Sequence, residues 1–228
     1  MEIIPAILPN DIQDIKKHLT EVMGISKWIQ IDLCDGKFVE STTWPYNGED
    51  ALVFEKIMAE EEGLPYWDRF NFEGDLMVKD AHEKFDTFIK LGFGRIVFHL
   101  EAEGDIKDFS DFLEGIDMNT RDFIQIGVSI DERTDINEIK NFINYVDFIQ
   151  VMGIGKIGVQ GQEFDPKTIT RVSEIKKLFP ETKISIDGGV DTENAKLLKE
   201  AGADRLVVGS HIWNSGDIPK TIQEFENI

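Results

Sequence analysis

The chain has 228 residues, with 44 Asp and Glu against 24 Lys and Arg, for a formal charge of −20. That balance argues against nucleic acid or an anionic membrane surface as a partner. No uninterrupted apolar run approaches the ~20 residues of a membrane span, and with Cys34 alone no internal disulfide can form, which fits a reducing cytoplasm.

The opening "MEIIPAIL" has no basic leader and is broken by Pro5, so no signal peptide is expected. Strand-like and helix-like runs then alternate. "EIIPAIL" precedes "NDIQDIKKHLTEVMG", where Ile12, Ile15 and Leu19 recur at helical spacing. "WIQIDL" is followed, after a long loop, by "EDALVFEKIMAEEEG". "RFNFEGDLMV" leads into "DAHEKFDTFIKLG", and "RIVFHL" into "DIKDFSDFLEGI". "FIQIGVSI" precedes "DINEIKNFINYV". "FIQVM" precedes a glycine-rich loop and then "DPKTITRVSEIKKLF". "KISIDGG" precedes "TENAKLLKEAG", and "RLVVGS" precedes the closing "DIPKTIQEFENI".

Eight strand–helix units with no linker between them predict parallel strands joined by crossover helices. Eight such units in this length fit one domain over 1–228, a closed (β/α)8 barrel of the TIM type. An open doubly wound sheet fits less well, because no G-x-G-x-x-G follows the first strand.

Alternation along the strands assigns their faces. Ile29, Ile31 and Leu33 should face the helices, leaving Gln30, Asp32 and Cys34 inside the barrel. The same pattern places Glu73, Asp75 and Met77 inside on the third strand and Val97, His99 and Glu101 on the fourth. Ser185 and Asp187 follow on the seventh. Polar residues near the strand ends should therefore meet at one mouth, where barrels of this kind keep their sites.

Asp32 and Asp187 stand out at that mouth. They are expected to face each other from strands lying across the barrel, an arrangement suited to removing a proton from one face of a carbon and returning one to the other. Gly188 and Gly189 after the seventh strand, and Gly209 and Ser210 after the eighth, occupy the loops where barrels often bind phosphate. "SHIW" would form the short extra helix of such a site. The sixth loop, "MGIGKIGVQGQEF", has four glycines and could close over a substrate, with Lys156 meeting an anion.

"IPAIL", "IDLCDGKFV", "DLMV", "GQEF", "IDGG" and "VVGS", in that order and spacing, resemble the ribulose-phosphate 3-epimerase family over essentially the whole chain. The resemblance implies a (β/α)8 barrel in which two aspartates interconvert ribulose 5-phosphate and xylulose 5-phosphate through an enediolate. It maps those aspartates onto Asp32 and Asp187. The phosphate-binding positions map onto Gly161, Gly188, Gly189, Gly209 and Ser210, and the methionines beside the reacting carbons onto Met77 and Met152. The substrate implied is a phosphorylated ketose, and the sequence leaves homo-oligomerisation open.

The resemblance also implies a divalent metal held by two histidines and the two aspartates. Here the histidine positions are Gln30 and Asp75, so the corresponding set is Gln30, Asp32, Asp75 and Asp187. Oxygen ligands favour Mg²⁺ or Mn²⁺ over Zn²⁺. A metal-free site is the alternative, with one crowded carboxylic acid kept protonated and donating to the enediolate. Ala6 stands in place of a serine and Cys34 in place of a third methionine. These departures leave two further readings: a related enzyme for another phosphorylated ketose, or a sugar-phosphate-binding homologue without turnover. The decarboxylases related to this family need a D-x-K-x-x-D strand, which "DLCDGK" does not supply.

Overall fold

The computed structural model describes residues 1–228. Eight parallel strands close into a barrel in sequence order: β1 (Glu2–Ile7), β2 (Trp28–Cys34), β3 (Asn71–Met77), β4 (Phe93–His99), β5 (Gln125–Ile130), β6 (Phe148–Met152), β7 (Lys183–Asp187) and β8 (Arg205–Val208). β1 pairs with both β2 and β8, so no strand edge is left open. The helices are α1 (Ile12–Glu21), α2 (Ala51–Met58), α3 (Phe85–Lys90), α4 (Ile106–Gly115), α5 (Met118–Phe123), α6 (Lys167–Leu178), α7 (Thr192–Ala201), α8 (Ser210–Trp213) and α9 (Ile218–Glu226). No helix is long and apolar enough to cross a membrane.

The apolar periodicity accounts for how these elements pack. Ile12, Ile15 and Leu19 of α1 are buried, and Asp11 caps the helix by accepting from Asp14 N at 2.7 Å. Ile29, Ile31 and Leu33 join the large core between strands and helices, as the period-two pattern requires. α7 begins with a capping box between Asp191 and Asn194 and ends at Gly202.

Two parts of the chain depart from simple alternation. The segment expected to be the fifth helix forms two 3-10 turns, Ile136–Asn141 and Ile143–Tyr145. Its buried Ile139 and Phe142 are three residues apart, which suits a helix of three residues per turn. Before β5 the chain adds α5, capped by Asp117 but without a buried residue, so no apolar stripe announces it.

The barrel's N-terminal end is sealed by charge. Glu73 is fully buried and accepts from Arg205, while Arg95 lies 3.7 Å from Glu73 and 3.0 Å from Glu2. Arg205 stacks on Phe148 at 4.0 Å and Arg95 on Trp28 at 3.7 Å, so each guanidinium also meets an aromatic face. Burial still pushes the Glu73 carboxyl up, against the pull of Arg205 and Arg95. The other end of the barrel is left for the site.

Candidate active site

Three carboxylates converge at the C-terminal mouth. Asp32 and Asp75 are direct register partners on β2 and β3, and Asp187 ends β7 in register with Met152. One oxygen from each lies within 4.8 Å of the others. Gln30 Nε2 donates to Asp32 Oδ1 and to Asp187 Oδ2, both at 2.9 Å. Asp75 is held from the far side by His99 Nε2, 3.1 Å from both its oxygens, and by Gln150 Nε2 at 3.0 Å. Gln30 Oε1, Gln150 Oε1 and His99 Nδ1 are buried without partners.

Three acids so close together cannot all ionise freely. Burial, then the charges of Asp187 and Asp75, hold the Asp32 carboxyl well above the usual range; Gln30 acts in the opposite sense. Asp187 is pushed up to about 7 by burial and by the Asp75 charge, again opposed by Gln30. Burial works against an imidazolium at His99, but the Asp75 carboxylate outweighs it and the pKa of the ring is raised. The site therefore combines crowded acids with one basic ring whose hydrogen-bond partner is Asp75.

Above the acids lies a sulfur-rich apolar cap of Cys34, Met77, Met152, Ile154 and Ile157, with Cys34 Sγ 3.8 Å from Met77 Sδ. The cap borders a cavity of about 50 Å³ lined by Asp32, Asp187, Gly161, Gly188, Gly189, Gly209 and Ser210, among others. Around its rim the backbone N–H groups of Gly188, Gly189, Gly209 and Ser210 make no hydrogen bond within the chain. Gly189 has φ +67, and a Cβ there would lie 2.7 Å from Phe164 Cα, so the position admits only glycine without backbone movement. The sixth loop is closed over the cavity: Ser41 Oγ donates to Gly158 O at 2.7 Å, and Lys156 pairs with Glu40 at 3.2 Å.

The sequence matches the ribulose-phosphate 3 epimerase family over residues 2–213. The chain belongs to the ribulose-phosphate 3-epimerase family. That membership makes it an enzyme of the isomerase class. It is 28% identical to the ribulose-phosphate 3-epimerase of Chlamydia trachomatis over 95% of this chain and 88% of that protein. To the Bacillus subtilis ribulose-phosphate 3-epimerase it is 27% identical, over 96% and 92%. Among solved structures, a 3-hexulose-6-phosphate synthase from Salmonella typhimurium superposes with a TM-score of 0.70 at 14% identity, covering 100% of this chain and 97% of that one. A KGPDC from Streptococcus mutans does so with a TM-score of 0.66 at 12% identity, covering 99% and 95%. These two likenesses concern the barrel fold.

The residues that the family resemblance maps onto catalysis, phosphate binding and the metal all lie in one region. Asp32, Met77, Met152, Gly161, Asp187, Gly188, Gly189, Gly209 and Ser210 line the cavity, with Gln30 and Asp75 beneath it. "SHIW" is the short helix α8. Three expectations need adjustment. β2 and β7 are three steps apart around the barrel, separated by β1 and β8, so Asp32 and Asp187 flank the mouth instead of opposing each other across its diameter. Glu101 falls beyond β4, in a 3-10 turn, and accepts from Asp131 N at 2.8 Å outside the barrel interior. Lys156 points to Glu40 on the surface. The neighbouring Asp35 takes no part in the site: it caps its own turn, accepting from Lys37 N at 2.9 Å and from Lys79 N at 3.2 Å. One member of the network was not singled out: Gln150. Its signal was its place as the inward polar residue of "FIQVM", two before Met152.

Proposed function

We propose that this protein interconverts ribulose 5-phosphate and xylulose 5-phosphate, with Asp32 and Asp187 moving the proton at carbon 3. The observation that carries this reading is the single Gln30 amide bridging both carboxylates at the floor of a cavity rimmed by unused N–H groups. Burial and the neighbouring acids favour the protonated form of Asp32, the form that donates, while Asp187, with its pKa of about 7, is available as a base. Asp187 takes the carbon-bound proton, an enediolate forms, and Asp32 gives its proton to the other face. For the opposite epimer the two roles exchange. The N–H groups of Gly188, Gly189, Gly209 and Ser210, with the Gly161 segment above them, hold the phosphate away from the acids. Met77 and Met152 provide an apolar wall that keeps water from the enediolate.

The family's divalent metal fits the donors present. Asp32, Asp75 and Asp187 offer oxygens within 4.8 Å of one another, their mutual repulsion is what a cation relieves, and Gln30 Oε1 is buried without a partner. These four residues would hold it, and an all-oxygen set favours Mg²⁺ or Mn²⁺ over Zn²⁺. A bound cation would supply positive charge to offset that of the enediolate. His99 and Gln150 hold Asp75 in place from behind.

At about 50 Å³ the cavity is far below the roughly 300 Å³ and more of ordinary small-molecule sites. Entry therefore requires the sixth loop to leave Ser41 and Glu40 and then close again.

The test is ribulose 5-phosphate in deuterated solvent. Xylulose 5-phosphate carrying deuterium at carbon 3 is the expected product. Absence of exchange into this or any other ketose phosphate would sink the catalytic reading.

A further inference from the structure

The cavity has an electrostatic oddity for a site that takes a phosphate ester: no Lys, Arg or His lines it, in a chain of net charge −20. Anion binding must then rest on neutral donors, and each one counts. One of them is a side chain outside the family motif. Gln160, in the sixth loop, projects into the cavity against β8's end. Its Nε2 sits 3.0 Å from where a Cβ on Gly209 would be, so the absence of a side chain at 209 is what makes room for the amide. Its one hydrogen bond is long, 3.4 Å to the Ala6 carbonyl. That carbonyl already accepts from Trp213 Nε1 at 2.5 Å, so Gln160 can leave it without stranding an acceptor.

We propose that Gln160 is a ligand-binding residue whose carboxamide swings from the Ala6 carbonyl to donate to the ligand's phosphoryl group. The assignment rests on the phosphate reading above and adds to it a side-chain grip, made by a neutral amide where a lysine or arginine would be the obvious choice. The amide lies beside Gly209, and its carrier loop must move for any ligand to enter. Gln160 therefore engages as the loop closes, and binding and closure become one event.

The experiment is calorimetric titration of inorganic phosphate and of ribulose 5-phosphate into the wild-type chain and into Gln160→Gly, Gln160→Glu and Gln160→Lys, with unphosphorylated ribulose as the control. Gln160→Gly should weaken both phosphate ligands by about tenfold, the loss of one hydrogen bond to a charged acceptor. Gln160→Glu should abolish binding and Gln160→Lys should tighten it, while ribulose is indifferent to all three. In turnover, Gln160→Gly should raise KM with little change in kcat, the mark of uniform binding. Equal or tighter phosphate binding by Gln160→Gly, with wild-type binding intact, would overturn the role of Gln160 and leave the phosphate site standing. Failure of the wild-type chain to bind either phosphate ligand would overturn both.

Discussion

Gln30 Nε2 reaches Asp187 Oδ2 at 2.9 Å, joining residues 157 positions apart through the barrel interior. The same nitrogen holds Asp32, so one uncharged amide fixes the spacing of the two acids. Gln30→Leu removes the donor and leaves two buried carboxyl groups without it, at about 1–3 kcal/mol. The measurement is denaturant unfolding beside the wild type. An unchanged midpoint would show that the bridge contributes nothing to the fold.

If each acid serves one face of the carbon, neither can replace the other. Asp32→Asn and Asp187→Asn should each lower turnover on the order of a hundredfold or more. Binding of ribulose 5-phosphate should survive in both, because the rim N–H groups are untouched. A single variant retaining full turnover would exclude its aspartate from the chemistry.

The raised pKa of Asp187 has a definite sign in stability. A carboxyl that titrates near 7 when folded and near 3.8 when unfolded is a net gain for the folded state at low pH, and that gain is lost between those values as pH rises. Asp187→Asn removes the titration. Measured in the presence of chelator, the variant should be stabilised relative to wild type more at pH 8 than at pH 5. The same difference in Tm at both values would contradict the shift.

Metal preference should follow the oxygen set. Mn²⁺, followed by electron paramagnetic resonance, should bind more weakly to Asp75→Asn by about tenfold or more. Zn²⁺ should be readily removed by dialysis against chelator from the natural chain and retained by the double variant Gln30→His with Asp75→His. Stoichiometric Zn²⁺ kept by the unaltered chain would reverse this expectation.

At the sealed end, Arg205→Met would leave Glu73 buried with only Arg95 at 3.7 Å. Removing one partner of a buried ion pair costs about 3–5 kcal/mol. Replacing Glu73 with Gln in the same chain should recover much of it, because the stranded charge is then gone. A double variant no more stable than Arg205→Met alone would show that the pairing is not what matters.

The barrel is legible in the sequence because helix-covered parallel strands carry two signals at once: an apolar set facing the helices and a polar set facing in. Gln30, Asp32, Asp75 and Asp187 could be placed inside by counting in twos, and the structure puts them there. Counting does not reveal which inward residues touch. Gln150 lies 75 positions from the Asp75 it holds, and nothing local distinguishes it from the inward Ser129 and Ser185 that pair beside it in register. Nor does counting tell where a strand stops: alternation alone carries Glu101 inside, although the strand ends at His99. The separation of β2 and β7 depends on closing the sheet, a property of all eight strands together. Lys156 shows the weakness of charge alone as a guide: a lysine beside an expected anion site faces a neighbouring glutamate on the surface.

The Glu73–Arg205 plug makes the barrel a blind alley. A molecule that has reacted cannot be pushed out of the far end by the next arrival; it must retreat through the doorway by which it came, past the same loop. Traffic is therefore single file, and a molecule that turns back unconverted uses the same exit as one that has been changed. A room with one door treats arrival and departure alike.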